Sequence, residues 1–165
     1  MTTSSKYLDA VIPSLSTAGF DCVRDVSYDH QTFPCVARRT RFELTKFGFA
    51  ETFFVFGERS SLDTAALREF SRTCFRYALR TKRVPLPRGL FESVYCFCVA
   101  LVERVDKATA DAVRNETPTR HWASAEIPVV YETGSSTLHY FEKTPLWGAA
   151  YHAGFRKTIQ ELLTV

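Results

Sequence analysis

At 165 residues, with 45% hydrophobic and 24% charged side chains, the chain has the length and composition of one globular domain. This excludes collagen-like, low-complexity and intrinsically disordered chains. A net charge of +3 and a pI near 8.6 are too mild to demand a polyanionic partner by themselves. The aromatic share of 14%, with 14 Phe and 7 Tyr, points to a sheet-centred core, because aromatic residues bury large areas and favour strands.

Tyr7, Leu8, Val11, Ile12 and Leu15 recur at helical spacing, and Gly19 stands where a C-cap would end the helix. Pro13 interrupts the pattern, so the helix is expected to kink there or to begin near it. Residues 1–5 are expected to be flexible. Cys22 to Tyr28 reads as a short strand. Phe33 to Leu44 alternates in part, and Phe49 to Phe56 is an apolar return strand, with Thr45-Lys46-Phe47-Gly48 as the turn between them. Ser60 and Ser61 offer an N-cap, and Ser60 with Asp63 resembles a capping box. Leu67, Phe70, Cys74, Tyr77 and Ala78 then mark the buried face of a long helix ending near Lys82.

Pro85, Pro87 and Gly89 form a loop. Ser93 to Val102 is apolar on both parities, as a central strand covered on both faces would be. Asp106 to Arg114 is a short helix. Trp122 to Tyr131 and Thr137 to Phe141 read as strands joined by Gly134-Ser135-Ser136. Thr144 as N-cap and Pro145 at the first helical position start a last helix running to about Leu163. The fold class is α/β or α+β: a mixed β-sheet of about five or six strands, flanked by three or four helices around an αβββαβ-like core, in a single domain 1–165.

The five cysteines, Cys22, Cys35, Cys74, Cys96 and Cys98, are odd in number and include no CxxC pair. No secretory apolar segment opens the chain and no run is long enough to span a membrane. The expectation is a cytoplasmic protein with free thiols and no membrane partner. His30, His121, His139 and His152 show no metal-binding spacing. His152 and Arg156 lie four residues apart on the last helix, near Trp147 and Tyr151, a group able to frame a small anion; the leading expectation is that the aromatics pack and the polar pair faces water. The free N–H groups of the helix start at Thr144-Pro145-Leu146-Trp147-Gly148 could likewise bind an anion. No GxGxxG, GxxxxGK[ST] or GxSxG motif is present, so cofactor-dependent dehydrogenase, kinase and hydrolase chemistry has no local support.

The order of elements over residues 6–102 resembles the core of the restriction-endonuclease-like family, whose signature is PD-(D/E)XK. In that family the return strand of the hairpin carries Glu-x-Lys or Asp-x-Lys, with carboxylates holding a metal and the lysine activating water. Here the stretch reads Glu51-Thr52-Phe53, with Phe53 where the lysine would stand, and no Pro-Asp pair precedes it. The resemblance implies the fold without its catalytic signature.

The most distinctive feature is a basic helix. Residues 59–88 hold eight basic and two acidic side chains, a net +6 against +3 for the whole chain. Arg68, Arg72, Arg76 and Arg80 are successive i,i+4 neighbours forming a stripe, followed by Lys82 and Arg83. Such a stripe can hold phosphates and release counterions; its plain alternative is a solvated face paired with acidic residues. The leading expectation is a non-catalytic binding or regulatory module that contacts an anionic partner, nucleic acid among them, through these six residues. One alternative is a divergent metal-dependent nuclease or phosphodiesterase using Glu43, Glu51 and Asp29 or Asp25. There the hairpin would set Glu43 opposite Glu51, and a divalent metal would be the only cofactor. A third is a homodimer whose basic helix meets an acidic surface of its twin, without a ligand.

Overall fold

The computed structural model describes residues 3–44, 47–86, 89, 91–146 and 148–165. Helix α1 (Thr3–Thr17) buries Tyr7, Leu8, Val11 and Leu15 on one side. It runs through Pro13, which is exposed, and takes in Thr3 to Ser5, so these three residues are helical rather than loose. Its end is a Schellman motif: Phe20 N–H reaches the Leu15 carbonyl and Gly19 N–H the Ser16 carbonyl, each at 3.0 Å, with Gly19 at φ 85°.

Strands β1 (Asp21–Tyr28), β2 (Gln31–Glu43) and β3 (Gly48–Arg59) form an antiparallel meander. Asp29 and His30, both at positive φ, make the two-residue turn between β1 and β2. The β1–β2 ladder pairs Arg24 with Cys35 and Val26 with Phe33 but skips the position between: Pro34 has no N–H to give, and Asp25 turns to φ 54°. Helix α2 (Thr64–Thr81) then carries the chain to β4 (Glu92–Val102), parallel to β3. Helix α3 (Lys107–Asn115) leads on to β6 (Ser124–Glu132), parallel to β4. The short β5 (Arg120–His121) and β7 (Thr137–His139) pair antiparallel with the two ends of β6, and α4 (Ala149–Leu163) closes the chain.

The sheet has seven strands in the order β1-β2-β3-β4-β6-β5, with β7 also beside β6; five are long, in line with the mixed sheet expected. Both faces of its centre are apolar, and each takes its own helices. On one face Phe54, Phe56, Phe97, Val99, Ile127 and Val129 pack with α1 and α4. On the other Phe53, Val55, Val94, Cys96, Cys98 and Val130 pack with α2 and with Val113 of α3. Tyr7 of α1 stacks on Tyr131 and donates its hydroxyl to the Leu163 carbonyl at the end of α4, locking the first and last helices over one face.

Three elements depart from expectation. The β2–β3 register sets Glu43 opposite Gly48 and Thr40 opposite Glu51, so Glu43 and Glu51 do not face each other. Gly48 is a strand residue: a Cβ there would lie 2.7 Å from the Phe91 carbonyl oxygen, and the positive φ of the turn belongs to Phe47. Thr45 and Lys46 of the expected turn, and Pro87 of the expected loop, lie outside the described residues. Asp63, not Ser60, caps α2, accepting the Ala66 N–H at 2.7 Å. Helix α4 starts at Ala149, four residues later than Thr144-Pro145 implies, because Arg156 holds that segment out of the helix. Its guanidinium donates to the Lys143 carbonyl at 2.8 Å and to the Thr144 hydroxyl at 3.0 Å.

Phe54, fully buried between Phe20, Phe56 and Phe97, is the test of this core. Phe54→Ala is expected to lower the unfolding free energy by about 3–5 kcal/mol, seen as a lower urea midpoint. Leu146→Ser, at a fully exposed position, should shift it by less than about 0.5 kcal/mol. All five cysteines are free; Cys35, Cys74, Cys96 and Cys98 are buried, and Cys22 is half-buried. Burial pushes the thiols of Cys35, Cys74 and Cys96 up. Burial also opposes the Cys98 thiolate, but hydrogen bonds with Cys74 and Cys96 bring its pKa down to about 6. Because burial bars the reagent, a thiol titration of the native protein should modify Cys22 quickly and the other four only on unfolding.

Candidate functional site

Because α2 turns Leu67, Phe70, Cys74 and Ala78 into the core, Arg68, Arg72, Arg76 and Arg80 emerge on its outer side. Nearly all of these arginines meet carboxylates of the same chain. Arg68 pairs with Glu116 just beyond α3 at 2.8 Å, and Arg72 with Glu69 at 3.1 Å. Arg76 reaches Asp29 at 3.5 Å and Glu69 at 3.6 Å, and Arg83 reaches Asp21 at 2.9 Å. Arg80 has no ion-pair partner among the described residues. Arg88, counted in the basic segment, lies outside them.

Lys82 and Glu51 belong to a different, buried cluster. Glu51 is completely buried and accepts two backbone N–H groups, Arg83 at 3.0 Å and Val84 at 2.7 Å. Lys82 Nζ donates to the carbonyls of Val84 and Leu86, each at 2.9 Å, and pairs with the buried carboxylate of Glu92. Together they pin the chain leaving α2 against the starts of the central strands β3 and β4. Glu92 keeps one oxygen without a partner, and burial raises its pKa despite the nearby ammonium.

The structure does not bring Glu43, Glu51 and Asp29 together. Asp29 sits in the β1–β2 turn, and Glu51 lies opposite Thr40, nine residues along β2 from Gln31. At about 3.3 Å per residue that is roughly 30 Å. Asp25, beside Pro34, is still about 20 Å away along the same strand. Glu43 and Thr40 differ by three positions, so Glu43 and Glu51 point to opposite faces of the sheet. A divalent metal does not fit this carboxylate set. Among the described residues no group of three or more His, Cys, Asp or Glu side chains is placed to hold one.

The arginine stripe instead borders a cleft of about 240 Å³ between α2, α3 and the start of β6. Arg68, Arg72 and Glu116 stand among its lining residues, with Ser71, His121 and Glu126. His121 Nε2 lies 2.6 Å from Glu126 Oε1, and its ring stacks on Phe75 of α2 with centroids 4.5 Å apart. Glu126 and Ser71 are both buried, and the Ser71 hydroxyl has no partner. The two-residue turn Trp122-Ala123 makes the pair by folding β5 back on β6, so that His121 lies opposite Ser124 and on one face with Glu126. Reading His121 only as a strand residue overlooks this. The available signal is the polar parity Ser124, Glu126 in an otherwise apolar strand.

Comparison with protein-family models, with curated proteins and with solved structures returned no match for the chain. No helix among the described residues is long and apolar enough to cross a membrane.

Removing the Glu51 carboxylate would strand two buried N–H groups. Glu51→Ala is expected to cost about 3 kcal/mol of stability, measured by urea unfolding, with the circular dichroism of the folded protein retained.

Proposed function

We propose that this chain is a non-catalytic binding module that takes an anionic partner against the α2–α3 face, a nucleic acid strand being the class its arginine row suits. The observation that carries the reading is the position of Arg68 and Arg72 at the rim of a formed cleft, with Arg76 and Arg80 continuing the row beyond it. From Arg68 to Arg80 the row extends about 18 Å along the helix axis, one guanidinium every 6 Å or so. The carboxylates beside it do not close the face. Arg68, Arg72 and Arg76 and their partners are each about half exposed or more, and exposed pairs of this kind contribute roughly 0–1 kcal/mol. A phosphate that binds a guanidinium bidentately displaces such a partner at little cost. The dispersed carboxylates support the non-catalytic side of the reading. The order α1-β1-β2-β3-α2-β4 supports a distant relation to the restriction-endonuclease-like family without its catalytic residues.

The test is a fluorescence-anisotropy titration of labelled single- and double-stranded oligonucleotides at several salt concentrations. Wild-type binding should weaken linearly on a log–log plot against salt. Arg72→Glu/Arg76→Glu should flatten that slope by about 2 and abolish binding at moderate salt. A Lys157→Glu control, on α4 across the sheet, should bind as wild type. Absence of wild-type binding at low salt overturns the nucleic-acid reading. Wild-type-like binding by the double variant moves the contact off α2.

A further inference from the structure

We propose that the start of α4, together with Arg120 and His152, is a site for one tetrahedral oxyanion of the phosphate or sulfate kind, on the face of the sheet opposite the arginine row. It does not depend on the function proposed for α2. Four observations meet there.

Helix α4 has no side-chain N-cap. The residue before it is Gly148, in the left-handed region at φ 82°, which has no side chain with which to cap the first turn. Thr144, whose hydroxyl could have capped a helix beginning at Pro145, accepts from Arg156 instead. A fifteen-residue helix therefore presents its positive end without a capping side chain from its N-cap residue.

Arg120 is aimed at the same place. The β5–β6 turn carries its guanidinium back over α4, with NH1 3.0 Å from the point where a Cβ on Gly148 would stand and the group over the Tyr151 ring. Among the described residues it has no carboxylate or carbonyl partner. That distinguishes it from Arg68, Arg72 and Arg76 of α2.

His152 is the buried polar group of the site. It is only 2% exposed, and neither ring nitrogen has a hydrogen-bond partner among the described residues. The Cδ2–Nε2 edge, rather than the fully buried Nδ1, faces the site, 3.8 Å from the same point above Gly148. A ligand at that edge can complete Nε2, while the Nδ1 orphan on the far side of the ring is no part of the site.

Arg120, His152 and Tyr151, with Ser93 and Ser124 of the strands, line a cavity of about 150 Å³ whose lining includes no carboxylate. That volume is too small for a cofactor-sized ligand and suits a single charged group. The charges facing His152 are all positive: Arg120 from β5 and Arg156 from its own helix. The rings of Phe141 and Phe155 pack around it, and His121, which lines the same cavity, is held by Glu126. Burial first, then those two arginines, lowers the His152 pKa. A bound anion reverses the sign of the local field and draws a proton onto the ring, so anion binding and proton uptake reinforce each other.

The oxyanion can be free in solution or be the terminal group of a phosphomonoester. NMR of the full chain, following the His152 ring proton at constant ionic strength, separates these. Titration with inorganic phosphate should shift that signal saturably, whereas chloride should not. In parallel, glycerol 1-phosphate binding more tightly than inorganic phosphate assigns the site to a phosphomonoester, and the reverse order to the free ion. Sulfate, whose charge is constant over the range, should bind more tightly as pH falls and His152, held below the ordinary imidazole range in the free protein, takes up its proton. Arg120→Gln should weaken phosphate by about tenfold or more. Tyr151→Glu, which adds a carboxylate beside Arg120 at a helix start that favours one, should abolish binding with the fold intact by circular dichroism. A His152 signal that phosphate leaves unmoved, or Arg120→Gln binding as wild type does, overturns the proposal.

Discussion

The structure rests on one constraint: the parallel ribbon β3-β4-β6 is apolar on both faces, so both faces must be covered. Every residue from Cys96 to Val102 is buried, whichever side it points to. A strand of this kind cannot lie at a surface or an edge without exposing several large side chains to water. The rest of the architecture follows. The two crossings between parallel strands supply α2 and α3 on one face, and the chain termini supply α1 and α4 on the other. The first and last helices are thus far apart in sequence yet joined through Tyr7, Tyr131 and Leu163.

Covering an apolar sheet with a charged helix creates its own electrostatic problem. Four arginines on successive turns of α2 repel one another, and the chain relieves this with acids brought from the β1–β2 turn, from α2 itself and from the residue after α3. Glu69 is a neighbour on the helix itself, whereas only the folded chain brings Asp29 and Glu116 to the stripe. Arg120 and Arg156 across the sheet receive no such relief: one stacks on a tyrosine and the other is spent on backbone carbonyls. The two faces therefore differ in what they have left to offer a negatively charged group, and the smaller, quieter site is the less neutralised.

The periodic elements were legible in the sequence because their burial is periodic. Leu67, Phe70, Cys74 and Ala78 marked α2, and the two-sided apolar run at 93–102 marked the central strand. The errors lie where a residue serves tertiary structure rather than its local element. Gly48 has the look of a turn glycine but is there to let the Phe91 backbone pass, and that substitution of role shifts the hairpin register by three residues. Thr144-Pro145 is a sound helix start that Arg156, twelve residues on, takes for itself. Glu51 reads as half of a metal site, yet it tethers the backbone after α2. The His121–Glu126 pair depends on a tight turn at Trp122-Ala123 that no glycine announces: Ala123 itself takes φ 51°. The group around His152 was visible as a helical spacing, but its partner Arg120 comes from another element altogether.

The break at Asp25 has a consequence for the company this protein can keep. β1 is the outermost long strand, and its outer side offers peptide groups to any extended chain that comes alongside. The kink opposite Pro34 cuts that side into two stretches of three or four residues, and Asp21, Arg24 and Asp25 stand exposed along it. A visiting strand finds neither a straight run to zip along nor an uncharged approach. The sheet can thus end at β1 without recruiting its own copies into a fibre.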